Sequence, residues 1–164
     1  MIEPELLAQH LEYSLWASLQ VLGAARTLDD AALRADRGNS FGGIFDTLLH
    51  IYRADRIWLA RFRGDQSASF VQDSDAQLDL ATLAQAWPQV GEPFAAFVRT
   101  QSAAALREDL HWTNLQGVAK SEKKFKILLH VVNHGTYHRG QVITMIKQAG
   151  GAVVSTDLVY YPGM

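Results

Sequence analysis

Apolar residues near the start of the chain recur every three or four positions. From Glu5 to about Arg26, Leu7, Leu11, Leu15, Ser18 and Leu22 fall on one face of a first helix, and Pro4 suits its first turn. Asp29 and Asp30 offer a capped start to a short helical turn through Leu33, after which Arg37-Gly38-Asn39-Ser40 reads as a polar, flexible stretch. Ser40 is placed to cap a second helix from about Phe41 to Phe62, whose Ile44, Phe45, Leu48, Leu49, Ile51, Tyr52, Trp58, Leu59 and Phe62 cover a wide face; Gly64 should end it. The stretch Asp65 to Gln77 is polar apart from Phe70 and Val71, and is long enough to pass across one end of a bundle.

A third helix is expected from about Asp79 to Leu106. Its interior Pro88 and Pro93 each remove a backbone donor, which predicts a kink near Gly91. Between Arg107 and Lys124 the apolar spacing shortens, and Leu110-His111-Trp112-Thr113 followed by Gln116-Gly117 reads as a small β-hairpin. The fourth helix runs from Ser121 or a few residues later to Ala149, closed by Gly150-Gly151. The tail from Ala152 to Met164, with Val153, Val154, Leu158, Val159 and Tyr160, is too apolar to stand free and is expected to pack back along the helices.

At 164 residues the chain has the size of one domain, here 1–164. Its hydrophobic share of 48% and charged share of 20% are those of a folded globular protein and exclude a disordered chain. With 15 basic and 17 acidic side chains there is no global positive field, so neither nucleic acid nor an anionic membrane surface is expected as a partner. Glu3 and Glu5 stand where a leader would be basic, and no run of about 18 apolar residues occurs, so the protein is expected to be cytoplasmic. The absence of cysteine removes disulfides, thiolate ligands and a cysteine nucleophile. A metal would have to use His, Asp or Glu.

Of the 6 histidines, His130, His134 and His138 stand four apart in the fourth helix. Four residues turn a helix by about 400°, so successive members differ by about 40° and lie roughly 5–6 Å apart at Cβ. Neighbours of this kind can share one ion, and a third ligand must come from elsewhere. His50 is the best candidate, because it lies in the otherwise apolar second helix in a row of small residues, Gly43, Thr47 and Ala54. Ordinary histidines bonded to backbone or water are the competing reading. His130 and His138 are about 12 Å apart along the axis. They cannot serve one ion together, and spacing does not choose between the pairs His130–His134 and His134–His138.

The segment LLHVVNHGTYHRGQVITMIKQAG, with the later TDLVYY, strongly resembles the DinB/YfiT-like metalloenzyme family, the damage-inducible family and not the DNA polymerase of that name. YSLWASLQVL in the first helix and DTLLHIYRADRIWLARFRG in the second extend the resemblance over nearly the whole chain. It implies an all-α fold, a four-helix bundle of up-down-down-up connectivity, and a homodimer. It also implies a divalent ion held by His50, His134 and His138, since the last histidine of the family motif directly precedes Arg139-Gly140-Gln141; His130 is then left for packing beside the ligands. Zinc is the first expectation, with nickel or iron as alternatives.

The wider superfamily includes transferases and isomerases that use a low-molecular-weight thiol, so the resemblance implies a metal-dependent enzyme acting on a small-molecule substrate, with hydrolysis as a variant. A non-catalytic stress-response or ligand-sensing metal protein is the alternative. No second catalytic group stands out: Asn133, Tyr137, Arg139 and Asp46 lie near the motifs, but surface solvation, helix packing and charge pairing account for them. Tyr13 and Trp16 match aromatic positions of the family's first helix, where core packing is the default role and pocket lining the lesser one. The Lys120–Lys126 cluster reads as a solvated helix start.

Overall fold

The computed structural model of the protein describes residues 2–66 and 68–163 and is mostly helical, with one two-stranded antiparallel sheet. In chain order the elements are α1 (Pro4–Ala25), α2 (Asp30–Arg34), α3 (Ile44–Phe62), α4 (Leu80–Ala86), α5 (Pro88–Arg99), β1 (Asp109–Thr113), β2 (Ala119–Lys123) and α6 (Lys124–Gln148). Leu7, Leu11, Leu15 and Leu22 of α1 are buried as the spacing predicts, and Ser14 and Ser18 are buried with them. Asp29 caps α2 by accepting from the Ala32 N–H at 2.8 Å.

The second long helix starts at Ile44, not near Phe41, and its N-cap is Gly43 instead of Ser40. The cause is a tight turn in which Gly42 N–H donates to the Asn39 carbonyl and Gly42 adopts φ +76°, so the chain cannot enter the helix until after it. Gly43 is also fixed by contact, because a Cβ there would stand 2.9 Å from the Leu33 carbonyl oxygen. Phe41 is thereby left outside the helix.

The connection from α3 to α4 does not simply cross an end of the molecule. It returns along α3, where Asp75 of a 3-10 turn (Asp73–Gln77) is buried and accepts from Arg53 Nε at 2.9 Å and from both terminal nitrogens of Arg56. Arg56 also donates to the Phe70 carbonyl at 3.0 Å. Burial opposes ionisation of Asp75, but the bonds from Arg56, the Gln72 N–H and Arg53 outweigh it and hold the carboxyl down at about 2.

The expected kink near Gly91 lies instead at Trp87, between α4 and α5. Pro88 takes the first turn of α5, where its missing N–H costs nothing, and helical structure ends at Arg99 with only a 3-10 turn at Ala105–Arg107 beyond. Pro93 stays inside α5; Gln89, whose carbonyl it leaves unbonded, is exposed, so water can take that bond. Gly91 marks a close approach, since a Cβ there would meet the Leu15 side chain at 3.0 Å.

Contacts between helices fix their pairing. Arg99 of α5 reaches Glu5 and Glu12 of α1, so these two run in opposite directions. Trp87 donates to Asp55 and Phe62 packs on Phe94, so α3 and α5 run in the same direction. His134 of α6 meets His50, and His130 meets Trp58, so α3 and α6 are antiparallel.

The hairpin forms where expected, with Trp112 opposite Lys120 and Asn114 accepting from the N–H groups of Gln116 and Val118 in its turn. Ser121 belongs to β2, so α6 begins at Lys124; Gly150 follows its end at φ +80°. The tail does return along α1, with Val154 and Tyr161 packed against the core while Val153, Leu158, Val159 and Tyr160 stay exposed. Tyr13 donates to the Thr156 carbonyl at 2.8 Å and Tyr161 packs on Tyr13 and Trp16, while a 3-10 turn at Leu158–Tyr160 leaves Val159 82% exposed. Among the described residues, no helix is long and apolar enough to cross a membrane.

Candidate metal centre

His50 projects from α3 toward α6, where His134 and His138 stand one turn apart. The row predicted to be small around it is buried: Thr47 at 0% and Ala54 at 6% exposure. The three imidazoles form a nearly equilateral triangle, with ring centroids 4.5 Å apart for His134–His138 and 4.9 Å for each of the other two pairs. One nitrogen from each ring lies within 4.8 Å of the others, and no carboxylate joins the group among the described residues.

Protonation follows from the surroundings. Burial, then the neighbouring His138 and Arg53, lowers His50 to about 4. Burial, then His138, His50 and His130, lowers His134 to about 3. Both rings are therefore neutral at pH 7, the form that ligates. His50 Nε2 and His134 Nε2 are 2.9 Å apart, a hydrogen-bond length that requires one proton between them. His138 Nδ1 lies 2.7 Å from Gln141 Oε1; a carbonyl oxygen only accepts, so Nδ1 carries the proton and Nε2 keeps its lone pair.

This donor set suits a divalent transition ion. With bonds of roughly 2.0–2.1 Å, two imidazole nitrogens on one ion stand about 2.9–3.4 Å apart. The His50–His134 separation is already in that range, and an ion would take the place of the shared proton. Phe41 stacks on His50 at 3.8 Å and presents its edge to His138 at 5.3 Å, while Phe70 covers another side of His50 at 5.6 Å. The two phenyl rings shield His50 from solvent, and Asp75 and Arg56 hold the segment that carries Phe70.

His130 stands apart from the triangle: it is exposed, its ring is 5.7 Å from His134, and it lies edge-on to Trp58 at 6.1 Å. Asp46, Asn133 and Tyr137 are exposed, although the Tyr137 ring lies 4.9 Å from His138 at the rim of the centre. Arg139 is not a surface residue. At 1% exposure it donates to the Ser14 carbonyl and hydroxyl, to Ser18 and to Thr136, and burial lowers its pKa. Tyr13 and Trp16 pack with Tyr161 away from the triangle. Of the Lys120–Lys126 cluster, Lys123, Lys124 and Lys126 are ion-paired with Asp109, Glu108 and Glu122.

Sequence reasoning missed Phe41, Phe70 and Gln141. Gln141 carried a usable signal, since it stands three residues after His138 and so shares its face. Phe70 is one of two apolar residues in an otherwise polar connection, and the segment holding it is fixed by a distant ion pair.

Comparison with known proteins bears on the fold and the family. Protein DinB of Bacillus subtilis (strain 168) is 27% identical over 156 residues, covering 92% of this chain and 90% of that protein. The crystal structure of a DinB-like protein from Bacillus cereus ATCC 10987 shares the fold with a TM-score of 0.69 at 18% identity, over 91% of this chain and 94% of that one. The DinB family model matches residues 1–164, from one end of the sequence to the other, and the chain therefore belongs to the DinB family.

Proposed function

We propose that the protein is a divalent-metal-dependent enzyme, a transferase using a low-molecular-weight thiol, with His50, His134 and His138 holding the ion. The observation that carries this reading is the donor set: three converging imidazoles, with His50 and His134 held neutral by burial, and no fourth protein ligand among the described residues. A structural zinc site normally fills four positions with protein groups. An ion held by three neutral ligands keeps its full charge, and when bound it supplies the Lewis acidity that lowers the pKa of a thiol or of water. Zinc is the first choice, with nickel or iron as alternatives.

The protein's own part is positional. Gln141 fixes the tautomer of His138, Phe41 and Phe70 keep water from His50, and Tyr137 stands at the open rim beside His138. Behind the centre, α1, α3, α4 with α5, and α6 are read as an up-down-down-up four-helix bundle; the Arg99–Glu5, Trp87–Asp55 and His50–His134 contacts support that reading.

The test is elemental analysis of untagged protein, followed by isothermal titration of the zinc-loaded form with bacillithiol, mycothiol, glutathione and coenzyme A. At least one should bind with zinc and fail to bind His138→Ala. Binding of none of the four would refute the thiol transferase. If His50→Ala, His134→Ala and His138→Ala each lose the metal yet melt as the wild type does, a purely structural clasp is refuted instead.

A further inference from the structure

A cavity adjoins the histidine triangle. An open groove of about 420 Å³ runs from Tyr137 and Gln141 along α6 to Thr144 and Gln148, with Arg37 and Asn39 on the facing wall. The four α6 residues are spaced four, three and four apart and share a helix face. The groove meets the triangle at Gln141, which bonds to His138, and at Tyr137, whose ring rests on it.

Charge is the informative feature of this groove. Its lining contains no acidic residue and one cation, Arg37. Among the described residues Arg37 takes part in no ion pair; its guanidinium donates one long bond, 3.3 Å, to the Ala32 carbonyl, and its buried Nε has no acceptor. Arg34, Arg53, Arg56 and Arg99 by contrast meet carboxylates and Arg139 meets four oxygen acceptors, although Arg56 and Arg139 also keep a buried Nε without an acceptor. Arg37 is half-buried and is the one charged side chain among the amides of Asn39, Gln141 and Gln148 and the hydroxyl of Thr144 that line the groove, a setting that favours an anion at its terminal nitrogens. The planar fork and single charge match a carboxylate, whereas a phosphate dianion would leave a charge unmatched.

We infer that this groove takes the carboxylate of a small-molecule ligand whose other end reaches the metal centre, with Arg37 as the anchoring residue. The span fits: from His138 to Thr144 the helix rises about 9 Å, the length of a compact organic acid. The inference rests on the metal-centre reading for the position of the reacting end, but the carboxylate site itself requires no metal.

The first arm uses metal-free protein labelled with ¹⁵N and titrated with succinate. Saturable shifts are expected at Arg37, Asn39 and Gln148, weakened at least tenfold in Arg37→Gln and less in Arg37→Lys, with spectra elsewhere unchanged. If Arg37→Gln does not fold, Arg37→Lys carries the same comparison. Absence of saturable shifts, shifts indifferent to Arg37, or equal competition by inorganic phosphate would overturn the inference.

The second arm uses cobalt-loaded protein and follows the cobalt–sulfur charge-transfer band. 6-Mercaptohexanoate, which extends about 9 Å from sulfur to carboxylate, should develop the band at a concentration at least tenfold below that of uncharged 6-mercaptohexan-1-ol, and Arg37→Gln should abolish the preference. If neither thiol produces the band while succinate still binds through Arg37, the thiol reading fails and the carboxylate groove stands.

Discussion

Replacing Asp75 by asparagine tests how the segment over His50 is held. The carboxylate is buried and accepts from Arg53, Arg56 and the Gln72 N–H, and these bonds overcome burial to bring it from 3.8 to about 2. A carboxylate depressed in the folded state stabilises the fold above its unfolded pKa and loses that contribution as pH falls through its folded pKa. Here the contribution is roughly 2.5 kcal/mol at pH 7 and about half of that at pH 3. Asparagine removes it and turns an amide donor toward guanidinium donors. The assay is urea unfolding of wild type and Asp75→Asn, followed by circular dichroism at pH 7, 5 and 3. At pH 7 the midpoint should fall by about 1 to 2 M. The gap between the two proteins should narrow by about half at pH 3. A gap under about 0.5 kcal/mol, or one that stays constant from pH 7 to 3, would refute the assignment of this anchor to the charge of Asp75.

Three further outcomes follow from the geometry. Gln141→Leu leaves all three ligands but frees the His138 ring, so zinc affinity measured by chelator competition should drop about 10- to 100-fold. Gly135→Ala places a methyl 2.7 Å from Arg139 Nη1 and 3.1 Å from the Ser14 hydroxyl; the melting curve should show a loss of about 1–3 kcal/mol. Asp55 is raised to about 6 by burial, against the Trp87 bond and Arg139, so its folded form holds a proton that the unfolded chain gives up; its contribution to wild-type stability should rise as pH falls from 6 toward 4, seen as a difference from Asp55→Asn because both proteins share the opposing loss at His50 and His134. Asp55→Asn keeps an acceptor for the Trp87 indole, so it should lack that rise and be at least as stable as wild type at pH 8 in the same urea assay.

What could be read in advance was what local chemistry decides. Asp29 as a cap, Gly64 and Gly150 as helix ends, and the hairpin before α6 all depend on a few adjacent residues. The start of α3 was set too early because Ser40 looks like a cap, whereas the Asn39–Gly42 turn behind it holds the chain out of the helix. Periodicity alone could not separate His130 from His138, since that depends on how α6 is rotated against α3; resemblance to a family supplied the choice. Arg139 was expected among surface and packing roles because arginine is almost never fully buried without partners. Its partners were nevertheless visible as Ser14 and Ser18, two small polar residues four apart on the apolar face of α1.

His138 and Arg139 are consecutive residues, so they leave α6 about 100° apart. One looks into the histidine triangle; the other is seated against α1 by directional bonds to the Ser14 carbonyl and the Ser14 and Ser18 hydroxyls. α6 is thus keyed like a splined shaft: it cannot turn about its own axis without drawing a guanidinium from its slot. The azimuth of the ligands is set from the far side of the helix, by residues that touch neither ion nor substrate. Changes at the rim, in Tyr137 or along the groove beyond Gln141, can therefore retune what the centre accepts without turning the ligands that hold it.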